Sequence, residues 1–256
     1  MSSNVQLKIA LITGGSRGLG RDMAIALAKR GTRIVITYKA NEALARETAA
    51  EIEKSGGQVA VLPLDLSKFE SIRPFVGQLF ELLDKKWSAS CLDFLINNAG
   101  MGATIPMEKV TEGVFDEFMN VHFKGVYFLT QACLERMNAG GRVINISSGT
   151  TRFSHPGYSV YAAMKGAVEV LTRYIAKEYG ARGIAANVVA PGPIETDFNN
   201  ATIRNNPQIK ANLSALTPLG RVGNAQDIGC VVAFLCSEEG RWVNGQRIEV
   251  SGGINT

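Results

Sequence analysis

The sequence predicts an α/β fold in which a parallel sheet is wound on both faces by helices. Three observations predict it. Short β-branched runs alternate with longer amphipathic stretches along the chain, the pattern of strand–helix–strand units joined by right-handed crossovers. Several strand candidates, among them RVINIS and AANVVA, are apolar without alternation, as strands covered on both faces should be. A glycine-rich segment, TGGSRGLG, falls between the first strand and the first helix. The length of 256 residues fits one large α/β domain, residues 1–256, and does not require two.

In order, the strand candidates are Lys8–Thr13, Arg33–Tyr38, Gln58–Pro63, Leu92–Asn97, Arg142–Ser147, Ile184–Ala190 and Arg247–Val250. Helical periodicity fills residues near 20–30, 41–55, 67–86, 111–137, 158–181 and 225–238. The least patterned stretch is about 192–222, with Pro193, Pro207, Pro218 and several Asn. A connection of that length inside a compact domain reads as a substrate loop or lid.

At 46% hydrophobic and 20% charged, the composition is that of an ordinary globular protein. The net charge of +4 comes without a block of like charge, which argues against a nucleic-acid or membrane surface. No stretch approaches the roughly 20 apolar residues of a spanning helix, and the first fifteen residues lack the apolar run of a signal peptide. Cys91, Cys133, Cys230 and Cys236 lie in apolar runs without metal-ligand spacing, so buried reduced thiols, no metal and a cytoplasmic location are expected.

The glycine turn carries the first functional signal. Gly14, Gly18 and Gly20 follow a strand and open a helix, so the backbone can approach a pyrophosphate and the helix N-terminus can bind it. Ser16, Arg17 and Leu19 lie in the same turn. The second strand ends in Tyr38 and Lys39, with no acid to take a ribose 2′-hydroxyl. Lys39 and Arg17 together favour a 2′-phosphate, and hence NADP(H). Asp65, beside Leu66 after the third strand, can accept from an adenine amino group or cap the next helix. Asn97, Asn98, Ala99 and Gly100 close the fourth strand at the cofactor cleft.

The second signal is chemical. Tyr161 and Lys165 stand four apart on a helical pattern and so share a face. A free phenol has a pKa near 10, so only about one in a thousand is ionised at neutral pH. A nearby ammonium favours the phenolate; a shift of three units requires about 4 kcal/mol. Ser148 ends the fifth strand and can donate to a carbonyl oxygen as charge builds, a role equally open to Ser147. Asn120 places a polar amide in the middle of a helical pattern. Tyr158 is a rival to Tyr161 but has Ala162, not Lys, four residues on. His122 is read as packing, and His155 as at most a pocket-wall residue.

These motifs resemble those of the short-chain dehydrogenase/reductase family along essentially the whole chain. The family's T-G-x-x-x-G-x-G appears as Thr13–Gly20, and its N-N-A-G as Asn97–Gly100. The resemblance selects Ser148 over Ser147, and implies a catalytic Asn120, Ser148, Tyr161 and Lys165. Pro191, Gly192, Ile194 and Thr196 are similar to the segment that holds the nicotinamide amide. The resemblance further implies a Rossmann-type sheet of seven strands in order 3-2-1-4-5-6-7, hydride transfer between NADP(H) and a carbonyl or alcohol substrate, and a homotetramer. Among subgroups the sequence is similar to 3-oxoacyl-(acyl-carrier-protein) reductases and related ketone reductases. Arg182 matches a basic residue that they use for the carrier protein, whereas Ala139 stands where a second arginine would be and the nearest basic residue is Arg136. Carrier-protein docking is therefore doubtful. The other readings are NAD-dependent alcohol oxidation and a cofactor-binding sensor without turnover, which the complete set of four site residues disfavours. Thr150, Phe153, His155, Trp242 and the 194–215 loop are expected to wall the substrate pocket.

Overall fold

The computed structural model describes residues 7–256; the first six residues of the expected 1–256 domain lie outside them. The strands are β1 (Ile9–Ile12), β2 (Arg33–Tyr38), β3 (Val59–Pro63), β4 (Leu92–Asn97), β5 (Met137–Ile146), β6 (Ala185–Pro191) and β7 (Arg247–Val250). They form a seven-stranded sheet in order β3-β2-β1-β4-β5-β6-β7, parallel at every pairing. The expected strand order is therefore the observed one.

Alternation along each strand feeds two cores. In β1, Ile9 and Leu11 pack on one face with Leu79 and Leu83 of α3 (Ile72–Trp87) and with Leu129 of α5 (Gly125–Glu135). Ala10 and Ile12 pack on the other face with Met23 and Leu27 of α1 (Gly18–Ala28) and Ile52 of α2 (Glu42–Lys54). Ile228 and Val232 of α9 (Ala225–Leu235) complete that second layer. Both faces of the strand are buried, which is why its sequence is continuously apolar. No helix among the described residues is long and apolar enough to cross a membrane.

Three stretches differ from the sequence reading. The periodic segment 111–137 is divided into α4 (Glu112–Met119), a π-helical turn (Asn120–Lys124) and α5. β5 begins five residues early at Met137, and its register with β4 shifts between Leu92 and Phe94; Gly140, at φ +76°, lets the strand bulge there. The 192–222 stretch contains α7 (Phe198–Asn205) and α8 (Pro207–Leu216). Asn206 caps α8 by accepting from the Ile209 amide at 3.1 Å, with Pro207 at the first helical position, a start signal present in the sequence.

Candidate active site

The glycine turn joins the carboxyl end of β1 to α1. Gly14 has φ +65°, a conformation that glycine adopts without penalty. At Gly20, a Cβ would come within 2.2 Å of the Gly14 carbonyl oxygen and 2.6 Å of Asn98 Nδ2. Asn98 explains this tightness: its Nδ2 donates to the Thr13 and Gly14 carbonyls at 2.8 and 3.1 Å. The Asn98 and Ala99 amides both donate to Thr13 Oγ1 at 3.0 Å. Ser16 accepts from Thr48 Oγ1 at 3.0 Å through its carbonyl, and Leu19 packs on the core. No side chain caps α1 at Arg17, so its first N–H groups and dipole are left for an anion. A cradle that a single methyl would fill, opening onto an uncapped helix end, fits a dinucleotide pyrophosphate.

Tyr38 ends β2, and Lys39 Nζ lies 3.4 Å from Asp65 Oδ1 and 3.5 Å from Ser67 Oγ. Asp65 does not cap α3, whose cap position is Ser71; instead its Oδ1 accepts from the Ser67 amide at 3.0 Å and hydroxyl at 2.6 Å. Burial works to raise the Asp65 carboxyl, but Ser67 and Lys39 hold it below the usual carboxylate value. Leu66 is buried in the core. Arg17 Nη1 lies 3.9 Å from Asp197 Oδ2, beside a cleft of about 420 Å³ lined by Ser16, Arg17, Glu195, Thr196 and Asp197. Both cations are half-exposed, and long side chains in that state can turn to a phosphate.

Pro191 ends β6, and the Gly192 amide donates to the Val250 carbonyl at 3.0 Å. Ile194 bridges to Gly223. This brings Thr196 back over the glycine turn, where a Cβ on Gly18 would stand 3.7 Å from Thr196 Cβ. The segments after β1, β4, β5 and β6 thus converge at the carboxyl edge of the sheet.

Tyr161 and Lys165 occupy one face of α6 (Ser159–Glu178), 8% and 5% exposed. Ser148 follows β5; its Oγ accepts from the Thr150 amide at 3.2 Å and from Thr150 Oγ1 at 3.0 Å, leaving its proton free to donate. Burial pushes the Tyr161 phenol up to about 12, partly offset by the Ser148 hydroxyl beside it. The expected lowering by Lys165 is not seen. Lys165 Nζ donates to the Ile146 carbonyl at 2.7 Å and sits 5.7 Å from the Tyr161 ring centroid, and burial brings its own pKa down to about 8. Burial disfavours both charged forms here, so the phenol stays protonated. Asn120 opens the π-helical turn, its carbonyl accepting from the Gly125 amide.

One expectation from sequence fails on topology. Trp242 is 95% exposed and precedes β7, at the amino edge of the sheet; it cannot wall a pocket at the carboxyl edge. Arg182 is exposed, and its guanidinium donates to the Leu134 carbonyl at 2.8 Å and the Met137 carbonyl at 2.5 Å. Arg136 lies over the Phe80 ring at 3.9 Å. His155 is exposed, while Thr150 is beside Ser148 as expected.

Other residues at the site gave no sequence signal of their role. His122 is 1% exposed; its Nε2 donates to the Met101 carbonyl at 2.8 Å, and its ring meets the Tyr161 ring edge-on at 5.2 Å. Burial and the charge of Lys165 lower it to about 3. Behind Ser148, Arg247 donates to the Ser148 carbonyl at 3.1 Å and pairs with Glu169 at 2.8 Å. Ser147, the alternative to Ser148, donates to Glu169 at 2.6 Å and so buttresses this network. Only tertiary proximity unites residues so far apart in sequence.

A family model described as enoyl-(acyl carrier protein) reductase matches residues 14–255. The hydroxynaphthalene reductase-like protein Arp2 of Metarhizium brunneum is 37% identical over 97% of this chain and 95% of its own length. The chain belongs to the short-chain dehydrogenase/reductase family. Two solved structures are similar throughout. The promiscuous reductase LugOII, which catalyses keto-reduction at C1 in lugdunomycin biosynthesis, is 36% identical, with a TM-score of 0.93 over 98% of this chain and 99% of that one. The angucycline C-6 ketoreductase LanV, with bound NADP, is 37% identical, with a TM-score of 0.92 over 96% and 95%. Membership of this family makes the chain an oxidoreductase.

Proposed function

We propose that this oxidoreductase reduces a ring ketone with NADPH, in one domain that both binds the cofactor and performs the chemistry. The observation that carries this reading is the pairing of Ser148 with a Tyr161 phenol that burial keeps protonated. A protonated phenol is the acid that ketone reduction requires, and the same group serves as the base in the reverse direction. The named ketoreductase relatives, one of them with bound NADP, support the substrate class and the cofactor.

The glycine turn, Arg17, Lys39, Asp65, Leu66, Asn98–Gly100 and the Pro191–Thr196 segment would hold the dinucleotide. NADPH, when bound, supplies a hydride to the carbonyl carbon. Ser148 donates to the carbonyl oxygen and orients it; preorganised donors of this kind act on charge as it develops. Tyr161 delivers its proton to that oxygen, so the product is the alcohol. Lys165, with a pKa near 8, is poised to return a proton to Tyr161 at neutral pH, and Asn120, at the π-helical turn, anchors the relay from solvent.

Exposed Tyr127 on α5, and Val170 and Tyr174 on α6, support assembly as a homotetramer. The Arg182 guanidinium is engaged by the Leu134 and Met137 carbonyls and Ala139 stands where a second arginine would be, which speaks against a carrier-protein partner. The four cysteines are free, which agrees with a reducing cytoplasm. The test is NADPH consumption against cyclic ketones, diketones and 3-oxoacyl thioesters. Tyr161→Phe should lower kcat by about 10³-fold while NADPH binding, followed by fluorescence, is unchanged. Near-normal turnover in that variant would refute the assignment.

A further inference from the structure

Beside the Ser148–Tyr161 pair, three segments meet through side-chain hydrogen bonds. Tyr158, the residue before α6, has its ring 6.3 Å from the Tyr161 ring. Its hydroxyl oxygen accepts from Thr104 Oγ1 at 3.2 Å and from Asn199 Nδ2 at 3.1 Å. Asn199 also donates to Thr104 at 3.4 Å. Thr104 comes from the β4–α4 connection, which the Ile105 amide ties to the Gly157 carbonyl at 2.8 Å. Asn199 comes from the start of α7, where it holds φ +51°, a conformation that Asn tolerates better than most residues. The next residue back, Phe198, has its ring 6.1 Å from that of Tyr161, so this trio stands on the substrate side of the acid.

A phenol has two lone pairs and one proton to place. At Tyr158 both lone pairs are taken by protein donors, and its proton has no acceptor among the described residues. The trio fixes the oxygen in place and leaves a neutral donor near the reacting carbonyl. We propose that the Tyr158 hydroxyl donates to a second oxygen of the substrate, distinct from the one reduced. The substrate class is then a ring ketone that carries another oxygen, phenolic or carbonyl, on the same fused ring system. This rests on the ketone-reductase reading of the site, and makes Tyr158 a residue of specificity and not of proton transfer.

The experiment measures kcat/KM with NADPH for 1-tetralone and its 5-, 6-, 7- and 8-hydroxy derivatives. The unmodified protein should prefer at least one hydroxy isomer to the parent by about tenfold, the worth of one neutral hydrogen bond. Tyr158→Phe should remove that preference, with any fall on 1-tetralone no larger than that of the Thr104→Val/Asn199→Ala variant, which breaks the same hydrogen bonds. The double variant Thr104→Val/Asn199→Ala keeps the phenol and should keep the preference, even where lower overall rates show that the lid is loosened. In the unmodified protein, the matching methoxy isomer should stay preferred over the ethyl isomer of similar size, because only the former offers an acceptor. An equal fall on all substrates in Tyr158→Phe, or no preferred isomer, overturns the proposal while the ketone-reductase reading stands. Failure of the unmodified protein to reduce any of these ketones removes both.

Discussion

The two walls of the cleft are built differently. The cofactor wall is backbone against backbone: Asn98 staples the Thr13 and Gly14 carbonyls, and the Gly20 contact leaves no room for a methyl group. The substrate wall, from Pro193 to Val222, is held by side chains at the surface. Its contacts include the Asp197 pairs with Arg17 and Arg204, the Lys210–Glu195 pair and the Tyr158 trio, and Asn199, Asn200 and Ala201 all carry positive φ. Exposed ion pairs contribute at most about 1 kcal/mol each, and left-handed non-glycine residues cost about 1–3 kcal/mol each. One wall is held by contacts that leave no room for a side chain, and the other by side-chain contacts at the surface.

The largest effect should separate the walls by one methyl group. Gly20→Ala forces backbone to move and should cost about 3 kcal/mol or more, with loss of NADPH binding. Gly220→Ala, at φ +72° but with nothing within 4 Å of the new Cβ, should cost only about 1 kcal/mol and leave binding intact. Thermal unfolding and an NADPH titration read both, and equal effects would erase the distinction.

Next is the cation at the rim. Lys39→Asp should reduce the NADPH-to-NADH ratio of kcat/KM by about 10- to 100-fold. An unchanged ratio would place the 2′-phosphate elsewhere.

A pH-dependent effect lies at the seam, where His122 ties Met101 beside Tyr161. The unfolded chain binds a proton here below about 6.5, whereas the folded chain does so only near 3. Between those values the unfolded state holds the extra proton, so stability rises with pH and is lost on acidification. The slope from this one group is at most about 1.4 kcal/mol per pH unit. Denaturant unfolding from pH 4 to 6.5 should show that slope in the unmodified protein and a shallower one in His122→Asn.

The residues themselves set out much of the cofactor wall. Strand β1, the glycine turn and the Tyr161–Lys165 spacing are local patterns, read within a few residues, and all seven strands overlap the runs read as strands, with β5 starting five residues earlier. The substrate wall was less legible. The Asn206–Pro207 start of α8 was available as a local signal; Trp242 looked like a pocket residue because linear order does not say which end of a strand a side chain flanks.

What the sequence by itself determined was the alternation of strands and helices, the glycine-rich turn after β1 and the spacing that sets Tyr161 and Lys165 on one helix face. Each depends on neighbours along the chain, where backbone geometry sets what can meet. Only the tertiary structure decided that Tyr161 and Lys165 are buried, since burial is a property of the packed interior. It also decided that Arg247 supports Ser148 and that Tyr158 meets Asn199 across 41 residues. Those outcomes depend on which distant groups remove water from one another.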